Sequence, residues 1–265
     1  MTATLRDYRR ARRRSRQAWA VLAAGLLAAL VLPVWFFTVG QFLLAEPRGT
    51  GPSAAPVLAR GWMQPVAAVR AVPGGNAADA LEALPVRDPA GIGNYDRSAF
   101  GQAWLDVDRN GCDTRNDILR RDLPGASFAA GSRCRIGAGT FQEPYTGRTI
   151  TFRRGSGSSK DVQIDHVVAL GDAWRTGAQQ LTAVQRQHLA NDPLNLIAVD
   201  GQANQDKGAS DAAAWLPPNR NFRCHYVARQ ISVKAAYGLW VTPAEKDAMQ
   251  RVLGSCPNQH TVLPR

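Results

Sequence analysis

The sequence predicts an α+β domain carried behind one apolar N-terminal helix, and three observations predict it. A stretch rich in β-branched residues at 162–170, a second at 194–199 and a helical pattern at 203–215 follow one another as strand, connection, strand, helix. Residues 18–39 are 22 consecutive uncharged, mainly apolar residues. Four cysteines, at 112, 134, 224 and 256, all follow that segment. A chain of 265 residues has room for one sizeable domain and an anchor.

Residues 1–17 form a basic tail with seven arginines and one aspartate. The net charge of the chain is +11, so the body beyond the tail is only modestly basic. That suits a polyanionic partner without proving one. Arginine outnumbers lysine 28 to 4. A GC-rich genome explains that ratio, and so does bidentate phosphate binding.

Residues 18–39 are long enough for a helix that crosses a hydrocarbon core. The arginines on one flank predict a cytoplasmic N-terminus and a body outside the membrane. The alternative is a cleaved signal peptide and a secreted protein, although small-x-small cleavage signals are poor here. Residues 40–76 are expected to be a stalk rich in Pro, Gly and Ala, with prolines at 47, 52, 56, 65 and 73. The folded domain is placed at 77–256, with 257–265 as a C-terminal tail.

Within the domain, 77–84 is a short helix candidate. Asp113 or Thr114 is positioned to cap a helix through Ile118 and Arg121. Phe141 to Phe152 reads as strands about a Thr146-Gly147 turn, and 155–159 as a Gly/Ser loop. After the 162–170 strand, Thr182 caps a helix to about Ala190. After the 203–215 helix, a longer one spans 222–239. Thr242-Pro243-Ala244-Glu245 is a capping box with proline at the first helical position, so a last helix runs to about Leu253.

The cysteines lack C-x-x-C spacing, which argues against a zinc cluster. Their even number and their place after an export-type segment suggest two disulfides in an oxidising compartment. Sequence order favours Cys112–Cys134 and Cys224–Cys256 among the three pairings. Four buried thiols are the alternative.

Chemistry concentrates on Asp165-His166, followed by Asn195-Leu196 and then Asn204-x-x-Lys207. An imidazole that titrates near neutrality can take a proton from water. Asp165 and Asn204 offer hard oxygens to Mg²⁺ or Mn²⁺. Asn195 is suited to fixing the loop or the His166 ring. Lys207 lies about one turn from Asn204 and is suited to a phosphate. Taken singly, Asn195 could be a turn residue, Asn204 an N-cap and Lys207 a solvated charge; the joint order carries the reading. Neighbours on a regular strand point to opposite faces, so Asp165 and His166 share a site only if the strand ends or bulges there.

Residues from about Tyr95 to Met249 resemble the HNH-type (ββα-metal, His-Me finger) nuclease domain at the C-terminus of GmrSD-type restriction endonucleases. They also resemble the exported stand-alone HNH endonuclease family proteins of actinobacteria. Asn110-Gly111-Cys112-Asp113-Thr114-Arg115-Asn116-Asp117, Pro144-Tyr145-Thr146-Gly147, Gln163-Ile164-Asp165-His166-Val167-Val168, Ala190-Asn191-Asp192-Pro193-Leu194-Asn195-Leu196 and Trp215-Leu216-Pro217-Pro218 carry the resemblance. It implies His166 as base, Asp165 and Asn204 as metal residues and Asn195 as the middle residue of the HNH pattern, with Asn in place of the last His.

Asp106-Val107-Asp108-Arg109-Asn110-Gly111 opens like a calcium loop, with Asp106, Asp108 and Asn110 as ligands of a structural Ca²⁺. Asp117 stands at the twelfth position where an EF-hand has Glu. An Asx-turn leading into a capped helix is a second reading. A substrate role is the third, with Arg115 on a phosphate; Arg175 is a further substrate-binding candidate. The whole predicts a divalent-metal-dependent endonuclease outside the membrane, with His166 as general base and DNA ahead of RNA as substrate. The alternative is a catalytically silent, membrane-tethered module that binds nucleic acid or an envelope polymer.

Overall fold

A computed structural model describes residues 70–155 and 160–263. The basic tail, the apolar segment 18–39, most of the expected stalk and most of the Gly/Ser loop lie outside these residues. Among the described residues no helix is long and apolar enough to cross a membrane.

Helix α1, Ala77–Glu82, opens on Asn76, whose side chain accepts from the Ala78 N–H. Helix α2, Thr114–Asp122, opens on Asp113, which accepts from the Asn116 N–H. Each cap satisfies a donor that the helix itself leaves unpaired. Strands β1 (Ser127–Phe128), β2 (Ile136–Gln142) and β3 (Thr149–Arg153) form an antiparallel sheet. The β2–β3 hairpin turns at Gly147, which has a φ of 76°.

Strand β4, Val162–His166, pairs antiparallel with β5, Leu196–Asp200. Helices α3 (Leu170–Arg175) and α4 (Ala183–Asn191) fill the connection between them, and α5 (Gly201–Lys207) leaves β5 directly. The strand–strand–helix order expected from sequence is present. Gly201 makes the last turn possible, because a Cβ there would lie 2.0 Å from the Lys160 carbonyl oxygen. Helices α6 (Arg220–Tyr237) and α7 (Pro243–Leu253) complete the chain order.

The β4–β5 pair is covered on both faces, which is why β5 is buried throughout. Val162, Ile164, Leu196 and Ala198 pack with Ile118 and Leu119 of α2, with Leu123 just after it, and with Ile136, Phe141 and Phe152 of the sheet. Ile197 and Val199 pack with Tyr145 and with Tyr226, Val227 and Ile231 of α6.

Several boundaries move from their sequence positions. Strand β4 stops at His166 rather than at 170, because Asn195 accepts from the Val168 N–H and turns the chain out of the ladder. Helix α5 stops at Lys207 rather than at 215, where Gly208 (φ 53°) ends it. The body begins before residue 77: Arg70 donates its N–H to Ala236, and Thr261 bonds Pro73 and Gly75. Those bonds also place Thr261 in the body rather than in a tail. Cys112–Cys134 and Cys224–Cys256 are the disulfides, as sequence order favoured.

Candidate active site

His166 is the last residue of β4, opposite Leu196. It is 8% exposed, and its Nε2 lies 2.9 Å from the carbonyl oxygen of Ala190, in the last turn of α4. A carbonyl can only accept, so the neutral ring carries its hydrogen on Nε2 and leaves the Nδ1 lone pair free. Burial is the main reason that its pKa falls from 6.5 to about 3; Arg97 and Lys207 add to the shift and the Ala190 carbonyl opposes it. The imidazole is therefore neutral near pH 7.

A cavity of about 230 Å³ adjoins the ring, lined by Arg97, Phe100, Trp104, Leu170 and Ala190. The Trp104 ring lies nearly parallel to His166, with centroids 6.4 Å apart. Arg115 sits over Trp104, 5.9 Å from its centroid. Burial, and then Arg154, lower the Arg115 pKa, while Asp113 opposes them. Arg115 thus brings positive charge to the cavity side of β4. Arg175 does not join it: the guanidinium donates to the Ala209 carbonyl and lines a separate cavity with Asp172 and Asp211.

Asn195 is fully buried. Its Oδ1 accepts from the Val168 N–H at 2.8 Å, and its Nδ2 lies 3.3 Å from the carbonyls of Val168 and Leu189. Asn195 therefore fixes the loop. Its hold on Leu189 also steadies the neighbouring Ala190 carbonyl that orients His166.

Asp165 faces the other way. The ladder continues without a bulge through Ile164, Asp165 and His166, so alternation sends the carboxylate to the α5–α6 side. Its oxygens receive the Tyr145 hydroxyl and, at 3.0 Å, the Lys207 ammonium. Burial raises the Asp165 carboxyl above its ordinary value, while Lys207 and Tyr145 pull it back. Lys207 is itself fully buried and donates also to the His166 carbonyl at 2.8 Å. The ammonium expected to meet a phosphate is thus paired with the Asp165 carboxylate in this structure. Asn204 is half-buried and donates to Gln163, which lies on the same strand face as Asp165. The structure thus groups Asp165, Asn204 and Lys207 on one face of β4 and puts His166 on the other.

In the 106–111 loop, Asp106 accepts from the N–H groups of Asn110 and Gly111, and Asp108 accepts from the Asn110 backbone and amide. Asn110 in turn accepts from the Cys112 N–H. These bonds form Asx-turns within the loop.

Trp104, Arg97 and Tyr145 escaped the sequence reading. Each reaches the site through tertiary contact alone, although Tyr145 lies in one of the segments that carry the resemblance. The family described as GmrSD restriction endonucleases, C-terminal domain, matches residues 113–252. An uncharacterized secreted protein of Arthroderma benhamiae is 39% identical over 178 residues, which is 66% of this chain and 82% of that protein. No solved structure matches the chain.

Proposed function

Because this chain belongs to the family of the GmrSD restriction-endonuclease C-terminal domain, we propose that it is an endonuclease with His166 as general base. The observation that carries the proposal is the Nε2–Ala190 bond, which leaves a neutral Nδ1 beside a cavity edged by Arg97 and flanked by Arg115. Nδ1 takes a proton from water as the water oxygen bonds to phosphorus, and the bond from phosphorus to the leaving oxygen breaks. Arg97 and Arg115 hold the phosphate and offset its developing charge. DNA is proposed ahead of RNA, in keeping with the restriction-endonuclease family.

A divalent ion on Asp165 and Asn204 does not fit the residues as they stand. Both Asp165 oxygens are engaged, and an ion there must displace the Lys207 ammonium from 3.0 Å. The Asp165–Lys207 pair is also the observation that favours the silent binding module. A plasmid-nicking assay separates the readings: cleavage by the wild type and its loss in His166→Ala support the nuclease, and binding without nicking supports the module. Repeating the assay in EDTA tests metal dependence. We place the action outside the cytoplasm, supported by the 18–39 segment, the two disulfides and a relative described as secreted. A secreted protein and a membrane-anchored one both meet that description.

A further inference from the structure

Asp172 in the first turn of α3, Asp211 in the turn after α5 and Glu245 in the first turn of α7 converge from three separate segments. One carboxylate oxygen from each lies within 4.8 Å of the others. Asp172 is 1% exposed and Glu245 is fully buried. Asp211 is half-buried and opens onto a cavity of about 370 Å³ that also meets Asp88, Arg175 and Thr242.

Charge at this place is unbalanced. Buried Lys234 of α6 reaches Glu245 at 2.8 Å and Asp172 at 3.2 Å. That is one ammonium for three carboxylates, with Arg175 and the exposed Asp88 on the lining of the cavity beside them. Asp172 Oδ1 is buried and receives no hydrogen bond. A buried carboxylate oxygen without a donor is destabilising, and an uncompensated buried charge more so.

We propose that Asp172, Asp211 and Glu245 hold a hard divalent cation. A doubly charged ion brings the sum of three carboxylates and Lys234 to zero, whereas one proton leaves it negative. The oxygen-only donor set selects Ca²⁺, Mg²⁺ or Mn²⁺ over softer metals. Bonds of about 2.3–2.6 Å set opposed ligands of Ca²⁺ roughly 5 Å apart, so three oxygens within 4.8 Å of one another can share one such ion. One Asp211 oxygen already caps the N–H groups of Ala213 and Ala214, leaving the other for the ion. Water entering by the cavity completes the coordination. The ion braces α3, the α5–α6 turn and the start of α7, and it takes no part in the hydrolysis proposed above.

The test uses purified full-length protein freed of metal with EDTA, then titrated with Ca²⁺ by calorimetry and thermal melting, with Mn²⁺ and Mg²⁺ for comparison. One Ca²⁺ should bind per chain and raise the melting temperature. Asp211→Asn, at a half-exposed position that tolerates the change, should weaken binding by at least about tenfold. Glu245→Gln provides a second, isosteric variant. His166→Ala and Asp165→Asn should bind as the wild type does, which separates this site from the nuclease reading whether or not that reading survives. Absence of binding by all three ions overturns the proposal. So does full binding by both Asp211→Asn and Glu245→Gln, or binding lost in Asp165→Asn.

Discussion

The Nε2 of His166 and the carbonyl oxygen of Ala190, 2.9 Å apart, fix which nitrogen of the buried imidazole is free. The acceptor belongs to the last turn of α4, and α4 lies in the connection between the two strands. Ring orientation is therefore set by the packing of that connection and not by the strand alone.

His166→Ala should fold and still bind DNA but lose cleavage by about 10²–10⁴ in rate, the usual contribution of a general base. Nicking and filter-binding assays on the same preparation check this. Near-wild-type nicking by the variant would remove His166 from the mechanism.

Asn195→Ala should act through position. It strips the Val168 N–H of its acceptor inside the core, for a loss of about 1–3 kcal/mol in stability. It also loosens the Leu189–Ala190 segment that orients His166. We expect a lower kcat with KM little changed, and a lower midpoint in urea. A variant equal to the wild type in both would show that the loop is held by other contacts.

How much of this was legible follows from where each signal is stored. Thr182 and Thr242 cap their helices as read, because a cap is a local hydrogen bond between residues three apart. The strand–strand–helix order was visible for the same reason. The end of β4 was not, since it depends on Asn195, 27 residues away from Val168. Alternation along β4 warned that Asp165 and His166 diverge, but only the fold shows what Asp165 meets. Tyr145 comes from the β2–β3 turn and Lys207 from the end of α5. Glu245 was read as a capping residue, which it is, and nothing local shows that it also faces Lys234 and Asp172.

Lys207→Met should be among the most destabilising single changes at the site. It leaves the Asp165 carboxylate buried without its cation, at a cost of about 3–5 kcal/mol. Asp165→Asn combined with Lys207→Met should recover much of that loss. Urea unfolding of the two singles and the double closes the cycle. If instead Asp165→Asn alone keeps full stability and loses only metal-activated cleavage, Asp165 serves as a ligand and the ion pair opens during turnover.

Acid should destabilise the fold through His166. Its folded pKa of about 3 lies below the 6.5 of an unperturbed imidazole. The unfolded chain therefore takes up a proton first as pH falls, and the folded chain follows only near pH 3. The stability contributed by neutral His166 is complete above about pH 6.5 and is lost as pH falls from there toward 3. The same shift keeps Nδ1 unprotonated below neutrality, so the acid limb of kcat/KM should lie well under 6.5 if His166 is the base. Unfolding in urea at pH 7, 6, 5 and 4, with EDTA present throughout, should show a steeper acid loss for the wild type than for His166→Ala. Parallel curves for the two proteins would mean that His166 titrates alike in the folded and unfolded chains, and the buried, carbonyl-bound imidazole described above would then be wrong.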